Sequence, residues 1–253
     1  MLSLSKNKVK FIRSLELKKN RREENAFVAE GHKLVGELLG SFTCRLTVAT
    51  AEWYASHPDV EAEETILVTR DELARASLLK TPQDVLAVFT QAEAACDPKV
   101  ADCSLCLALD DVQDPGNLGT IVRIADWFGI RDIFCSHGTA DIYSPKTVQA
   151  TMGAMARVRL HYCTLAEVLR EVRSPVFGTF LDGESIYDAT LSTSGVIIMG
   201  NEGKGISQEV AGCVSRRILI PSFPRGAAAV ESLNVAAATA IVCSEFRRRE
   251  LNR

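Results

Sequence analysis

Six short aliphatic runs punctuate the second half of this chain: Leu105–Leu109, Asp132–Cys135, Arg157–Leu160, Val176–Leu181, Gly195–Met199 and Arg217–Ile220. Most hold apolar residues without a polar one at every second position, so both faces of the strands must be covered. Helical patterns lie between most of them, the last from Ser232 to Glu250. Strands of this kind separated by helices predict a parallel sheet with helices packed on either side. Upstream, Ala26–Ala29, Arg45–Val48, Thr65–Thr69 and Val85–Phe89 also read as strands, the first three followed by helical segments starting near His32, Ala51 and Asp71. That spacing predicts a second, smaller α/β domain at the N-terminal end. Between Gln91 and Asp102 the composition turns to Ala, Asp, Glu, Lys and Pro98 without apolar periodicity, which marks a linker. For 253 residues the size expectation of about 150 per domain gives one to two domains. The expected division is 1–92, a linker at 93–103, and 104–253.

Charge excludes a global basic field: 29 Lys and Arg stand against 32 Asp and Glu, net −3, so any contact with nucleic acid has to be local. One local segment is Ser3–Arg22, rich in Lys and Arg, where Val9, Ile12 and Leu15 recur at helical spacing. It predicts one amphipathic helix with a positive outer face, which reads either as an RNA contact or as a solvated surface. Arg247–Arg249 reads equally as an RNA contact or as a favourable cationic helix end. The apolar stretch Leu233–Cys243 is far shorter than the ~20 residues of a membrane span. Lys6, Lys8 and Lys10 stand where a signal peptide would be apolar, so a cytoplasmic protein is expected. The eight cysteines are scattered, mostly beside aliphatic residues, and are expected to be free thiols. Cys103 and Cys106 form a C-x-x-C with no second pair, so no metal site is expected and both read as small apolar residues entering a strand.

Ligands of parallel sheets bind where strands turn into helices. Three such loops stand out. After Leu109 comes Asp110–Arg123, in which Asn117 is placed to cap a helix with the buried stripe Leu118, Ile121, Ala125 and Phe128. Arg123 lies off that stripe, one turn beyond Gly119; it either reaches over a ligand or pairs with Asp126. After Met199 comes Gly200–Ser207, with three glycines in six residues. Its spacing matches neither G-x-G-x-x-G nor G-x-x-x-x-G-K-[ST], and Glu202 at its centre makes a poor anion cradle. A tight loop against a neutral or cationic ligand and a structural turn are both open readings. The third is Ile220–Gly226 followed by Glu231–Ala240, whose small residues allow close helix packing and where Ser232 or Asn234 could serve as a cap.

Taken in order, Asn117-x-Gly119-x-x-x-Arg123, Gly200-Asn-Glu-Gly-x-Gly205 and Ser232-Leu-Asn-Val235 resemble the SpoU (TrmH) family of RNA ribose 2′-O-methyltransferases, in the SPOUT superfamily. The resemblance runs from about Leu105 to the C-terminus and includes the connecting segment Pro145–Ala154. Phe27–Val35 and Thr81–Val88 are similar to the RNA substrate-binding domain that many members carry. The resemblance implies an α/β fold whose C-terminal parallel-sheet domain holds a deep trefoil knot, beside a smaller N-terminal α/β domain. Composition and general fold rules would predict no knot. It also implies a homodimer, S-adenosylmethionine as cofactor and RNA as partner, with ribosomal RNA favoured over transfer RNA by the appended domain. By the same similarity, Arg123, Asn117, Glu202, Ser232 and Asn234 match the catalytic or scaffolding positions. Gly200, Ile220 and Leu233, with Asn201 and Gly205, match the cofactor site. One departure is the stretch Pro221–Ser232, longer than is usual, with Glu231 where a small residue is common, which implies a reshaped cofactor-side loop.

A guanidinium with a pKa above ~12 is a poor base. Arg123 is therefore expected to clamp a phosphate bidentately and polarise the ribose hydroxyl, the proton leaving through that phosphate or water. Two readings of another class remain: a non-catalytic RNA-binding assembly factor of the same fold, which has no need of Arg123, Glu202 and Asn234 together, and a nucleotide-dependent oxidoreductase, which lacks its fingerprint.

Overall fold

The computed structural model describes residues 4–92, 94–224 and 232–251. The chain divides into two compact units, Met1–Glu93 with Asp141–Ala156, and Ala94–Ala140 with Arg157–Arg253.

In the first unit, strands β1 (Ala26–Glu30), β2 (Cys44–Thr50), β3 (Thr65–Val68) and β4 (Val85–Thr90) form a sheet in the order β1-β4-β2-β3. Only the β2–β3 pair is parallel; the others are antiparallel. Strand alternation sends Ala26, Val28, Leu46, Val48, Leu86 and Val88 into one core. Ile12 and Leu73, from α1 (Lys6–Ser14) and α5 (Arg70–Ala76), join that core. The intervening residues carry the opposite face, where Phe27 stacks on Phe89 at 5.6 Å and meets Tyr143 at 4.8 Å. Helices α3 (His32–Leu38) and α4 (Ala51–Ala55) follow their strands as predicted.

The single N-terminal helix expected over Ser3–Arg22 is two, α1 and α2 (Lys18–Glu23). The physical reason is Arg21. Its guanidinium is buried and donates to the carbonyls of Leu15 at 2.9 Å and Glu16 at 2.7 Å, while pairing with Asp141 at 2.6 Å. Asn20 adds a bond to the Ser14 carbonyl at 2.8 Å. These side chains satisfy the carbonyls of Ser14 at the end of α1 and of Leu15 and Glu16 just beyond it, so the chain turns there. Arg21 is thus a structural cation, as is Arg13 on the Ser77 carbonyl, and Lys8 pairs with Glu64. Lys6, Lys10, Lys18, Lys19 and Arg22 remain exposed.

The second unit begins with a short helix, α6 (Val100–Cys103), inside the stretch expected to be linker; Cys103 is exposed at its end and does not enter the strand. Six parallel strands follow: β5 (Leu105–Leu109), β6 (Asp132–Cys135), β7 (Arg159–Tyr162), β8 (Val176–Ser185), β9 (Gly195–Met199) and β10 (Arg216–Leu219), in the order β10-β8-β9-β5-β6-β7. One face packs on α9 (Leu165–Glu171) and α10 (Gln208–Ala211) through Cys106, Ala108, Phe134, Val196, Ile198, Leu169 and Val210. The other meets α11 (Val235–Leu251), whose Phe246 stands edge-on to Phe177 at 4.9 Å, and α11 packs on α7 (Pro115–Trp127). The helix α8 (Pro145–Thr151) lies in the segment that belongs to the first unit, where Gln149 donates to the Glu30 carbonyl at 2.9 Å.

Strand β7 starts two residues later than expected because Arg157 turns aside to bind both carboxylate oxygens of Asp126. Arg248 and Arg249 both bind Glu245 at 2.7 Å, and Arg247 donates to the Phe128 carbonyl at 2.8 Å, so the C-terminal arginines are tied within the fold. Among the described residues no helix is long and apolar enough to cross a membrane, and the described cysteines are free.

Candidate active site

Strands β9 and β5 are neighbours and parallel, so the loops leaving their carboxyl ends emerge side by side. The β5 loop opens with two aspartates that sequence reasoning passed over. Asp110 is buried, and its carboxylate accepts from the Ser207 N–H at 2.7 Å, tying the β5 and β9 loops together. Asp111 adopts φ 59°; Ser136 Oγ, just beyond β6, donates to its carboxylate at 2.6 Å. The Asp111 carbonyl accepts from Asn201 Nδ2 at 2.8 Å. Three strand-end loops are therefore bound into one scaffold. The available signal was an acidic pair closing an apolar strand just before a helix start.

The cap of α7 is Asp114, not Asn117. Its carboxylate accepts from the Asn117 N–H at 2.8 Å, and Pro115 follows at the first helical position, where a missing N–H costs nothing. Asn117 is thereby released to work with its side chain. Its Nδ2 donates to Glu202 Oε1 at 2.8 Å, and its Oδ1 accepts from Asn234 Nδ2 at 3.0 Å. Asn234 in turn caps α11, its Oδ1 accepting from the N–H groups of Ala236 at 3.0 Å and Ala237 at 3.2 Å. A carboxylate only accepts, so Glu202 fixes which end of Asn117 faces it, and the helix amides fix Asn234. The relay Asn234–Asn117–Glu202 has one consistent orientation.

Asn201 holds the glycine loop. It exchanges two backbone hydrogen bonds with Gly205, and its side-chain oxygen accepts from the N–H groups of Gly203 and Lys204, each at 3.0 Å. Gly205 takes φ +69°, and a Cβ on Gly200 would lie 2.4 Å from the Gly205 carbonyl carbon. This hairpin-like turn needs glycine at both places.

Arg123 is exposed on α7 and has no hydrogen bond or ion pair to a described residue; Asp126, the partner it could have taken, is held by Arg157. Ser232 is exposed and makes no bond to a described residue, so the structure does not bring it into the relay. Ile220 follows β10, half-buried, at the same carboxyl edge of the sheet as Gly200, with β8 between their strands. Leu233, beside Asn234, leaves 48% of its surface exposed. Glu231 and the Ala227–Val230 part of the long loop lie outside the described residues. Among the described residues no three of His, Cys, Asp and Glu gather as a metal site would require.

The model of the SpoU rRNA Methylase family matches residues 104–244, and that of the MRM3-like substrate binding domain matches residues 6–87. The 23S rRNA (guanosine(2553)-2'-O)-methyltransferase RlmP of Bacillus subtilis (strain 168) is 30% identical over 97% of this chain and 98% of its own. A TrmH-family protein of Porphyromonas gingivalis has a structure similar at TM-score 0.87 and 45% identity, covering 98% of this chain and 99% of that one. The AdoMet-bound rRNA methyltransferase of Sinorhizobium meliloti is similar at TM-score 0.81 and 31% identity, covering 98% and 97%.

Proposed function

Because this chain belongs to the SpoU rRNA methylase family, we propose that it transfers a methyl group from S-adenosylmethionine to a ribose 2′-hydroxyl of ribosomal RNA. The observation that carries this reading is the unpaired guanidinium of Arg123 on the helix that also presents the Asn234–Asn117–Glu202 relay. A redox or purely structural role uses neither.

The residues present suit the cofactor. Any side chain at Gly200 would collide with the Gly205 backbone, so the strand end stays bare enough for close approach. Leu233 and Ile220 offer apolar surface at that edge, and the one charged side chain in the relay is an acid, which suits a sulfonium and opposes a phosphate. Gly200, Asn201, Gly205, Ile220 and Leu233 would hold the cofactor. When bound, it supplies a methyl group on positively charged sulfur, open to in-line displacement.

The chain's own part is alignment. Arg123 clamps the phosphate next to the target ribose through two parallel N–H···O bonds and polarises the hydroxyl; the proton passes to that phosphate or to water. Glu202 and Asn234 hold Asn117, and Asn117 holds the two loops in register around Arg123. Ser232 orients substrate.

The same reading assigns RNA binding to residues 1–92 and methyl transfer to 104–253, threaded as a trefoil knot, with 93–103 connecting them through α6 and Asp141–Ala156 packed within the first unit. Its phosphate contacts come from Lys6, Lys10, Lys18, Lys19 and Arg22, all exposed. The protein works as a cytoplasmic homodimer.

The test is transfer of isotopic methyl from S-adenosylmethionine to total RNA from a strain lacking this gene, with wild type and Arg123→Ala in parallel. Label in a ribosomal RNA with wild type alone is the expected result. Label in transfer RNA would move the substrate, and none in any RNA despite binding would favour the assembly-factor reading.

A further inference from the structure

The amino-terminal edge of the parallel sheet carries a cleft that the methyl-transfer site does not use. It opens where β8 and β10 begin, has a volume of about 710 Å³, and takes its walls from α9, α10 and the loops that lead into the two strands. Arg170, Arg173 and Arg216 line it, with Ser174, Ser215 and a single acid, Glu209.

Both loops are pinned by bonds that leave the guanidiniums out. The Asp102 carboxylate accepts from the N–H groups of Arg173 and Ser174, each at 2.9 Å. Ser215 Oγ accepts from the Val176 N–H at 3.0 Å and donates to the Val176 carbonyl at 3.2 Å. Arg173 and Arg216 are exposed, and their side chains make no hydrogen bond or ion pair to a described residue. Asp102, whose charge Arg173 supports, is already committed to the two amides. Arg170 meets Glu209 only at 3.6 Å, with both side chains more than half exposed. A pair so solvated contributes little, so a phosphate can displace it at small cost.

In a chain of net charge −3, three arginines against one carboxylate make a local positive site. Guanidiniums suit phosphate oxygens, which they bind two at a time. No aromatic side chain lines the cleft, so a free nucleotide would find nothing on which to stack its base. None of the exposed large hydrophobic residues lies in it either, as an apolar protein partner would need. Phosphates of a polymer fit better than either. The cleft stands on the sheet face that packs on α9 and α10, whereas α11, with α7 against it, covers the other. Strand β9, which runs from this edge to Gly200, has five residues and spans about 16 Å. A folded RNA at the carboxyl edge can therefore reach the amino edge of the same domain.

We propose that this cleft binds backbone phosphates of the RNA substrate away from the target nucleotide, as an anchoring site within the methyltransferase domain. This rests on the methyltransferase reading above and deepens it: the cleft adds affinity without reading sequence and without touching the reacting ribose.

The experiment is filter binding of the full-length protein to unmodified ribosomal RNA from the strain lacking this gene, over about 50–200 mM salt. Each phosphate contact contributes about 0.7–0.9 to the slope of log Kd against log salt. The double variant Arg173→Gln with Arg216→Gln should lose about 1.4–1.8 from that slope and bind roughly tenfold or more weakly at the lowest salt. Its S-adenosylmethionine affinity should be unchanged. Glu209→Gln removes the one acid and frees Arg170, so it should bind RNA more tightly than wild type, a gain that misfolding cannot imitate. An unchanged slope in the double variant overturns the proposal, as does Glu209→Gln binding no tighter than wild type. So does a changed sedimentation coefficient in the double variant, which would place a second copy on the cleft. Calorimetry with inorganic pyrophosphate separates the two sources of phosphate. Little binding is expected; tight binding that the double variant loses, with RNA affinity untouched, would assign the cleft to a free phosphorylated ligand instead. Filter binding needs no turnover, so failure of methyl transfer would sink the proposed activity and leave the slope readable.

Discussion

Asn117 donates its side-chain N–H to Glu202 at 2.8 Å and so joins two loops whose residues lie 85 positions apart. The bond has a direction, because the Asn117 oxygen is already taken by Asn234. Asn117→Asp replaces the donor with a second carboxylate facing Glu202. Like charges at hydrogen-bond distance cannot both ionise without cost, so one carboxyl takes up a proton more readily than usual. The variant should therefore lose about tenfold or more in methyl transfer at pH 8, since neither oxygen then donates. It should regain part of that as pH falls and a shared proton restores the bond. The ratio of variant to wild-type rate across pH checks this; a flat ratio would remove the bond from the mechanism.

Arg123→Lys keeps the charge and discards the planar fork. If bidentate clamping aligns the ribose, kcat should fall by about tenfold or more while S-adenosylmethionine affinity stays put. Near-normal turnover would show that a point charge suffices.

Gly200→Ala places a methyl group against the backbone of Gly205 and Ile206, at 2.4 and 2.5 Å from its nearest atoms. Neither can rotate away, so the loop must open. We expect destabilisation of about 1–3 kcal/mol, read as a lower Tm, together with weaker cofactor binding by calorimetry. Gly203→Ala is the control: its nearest neighbour is 3.7 Å away, and it should be tolerated.

Asp132, at the start of β6, has a buried carboxylate that accepts from Arg159 at 2.8 and 2.7 Å and lies 2.8 Å from His161 Nε2. Burial alone would raise its pKa, but the bonds from His161 and Arg159 outweigh it and hold the group at about 2, below its ordinary 3.8. A carboxyl depressed in the folded state contributes stability that is complete above pH 3.8 and is lost as pH falls through about 2. That contribution is on the order of 1–2 kcal/mol. Asp132→Asn should be less stable at neutral pH, and its deficit should shrink between pH 4 and pH 2. Parallel Tm curves for the two proteins would contradict it.

Much of this fold is legible in the sequence because a strand buried on both faces leaves no alternation to mistake. Leu105–Leu109 and Gly195–Met199 are legible to the residue. Arg157 looks like part of β7 in the sequence because nothing local says that it leaves for Asp126. The break between α1 and α2 carries no glycine or proline; it is made by a guanidinium satisfying carbonyls of the preceding turn, and its other partner, Asp141, is 120 residues away. The Asp114 cap is legible too, because an acid directly before proline at a helix start is a stronger cap signal than Asn117 inside the first turn. At the site, the motifs were legible by their order, but the contact between Asn117 and Asn234 spans 117 positions and only the sheet's topology makes it.

Residues 141–156 belong to the first unit although the chain on both sides of them builds the second. The polypeptide therefore passes from one unit to the other three times, near positions 93, 140 and 156. A single proteolytic nick in the first connection leaves the halves joined by two further covalent threads. An exchange of the N-terminal unit between relatives, made by splicing at that one point, would carry over a sheet whose Phe27 and Glu30 have lost Tyr143 and Gln149. To be transplanted whole, the unit has to travel as two pieces of gene.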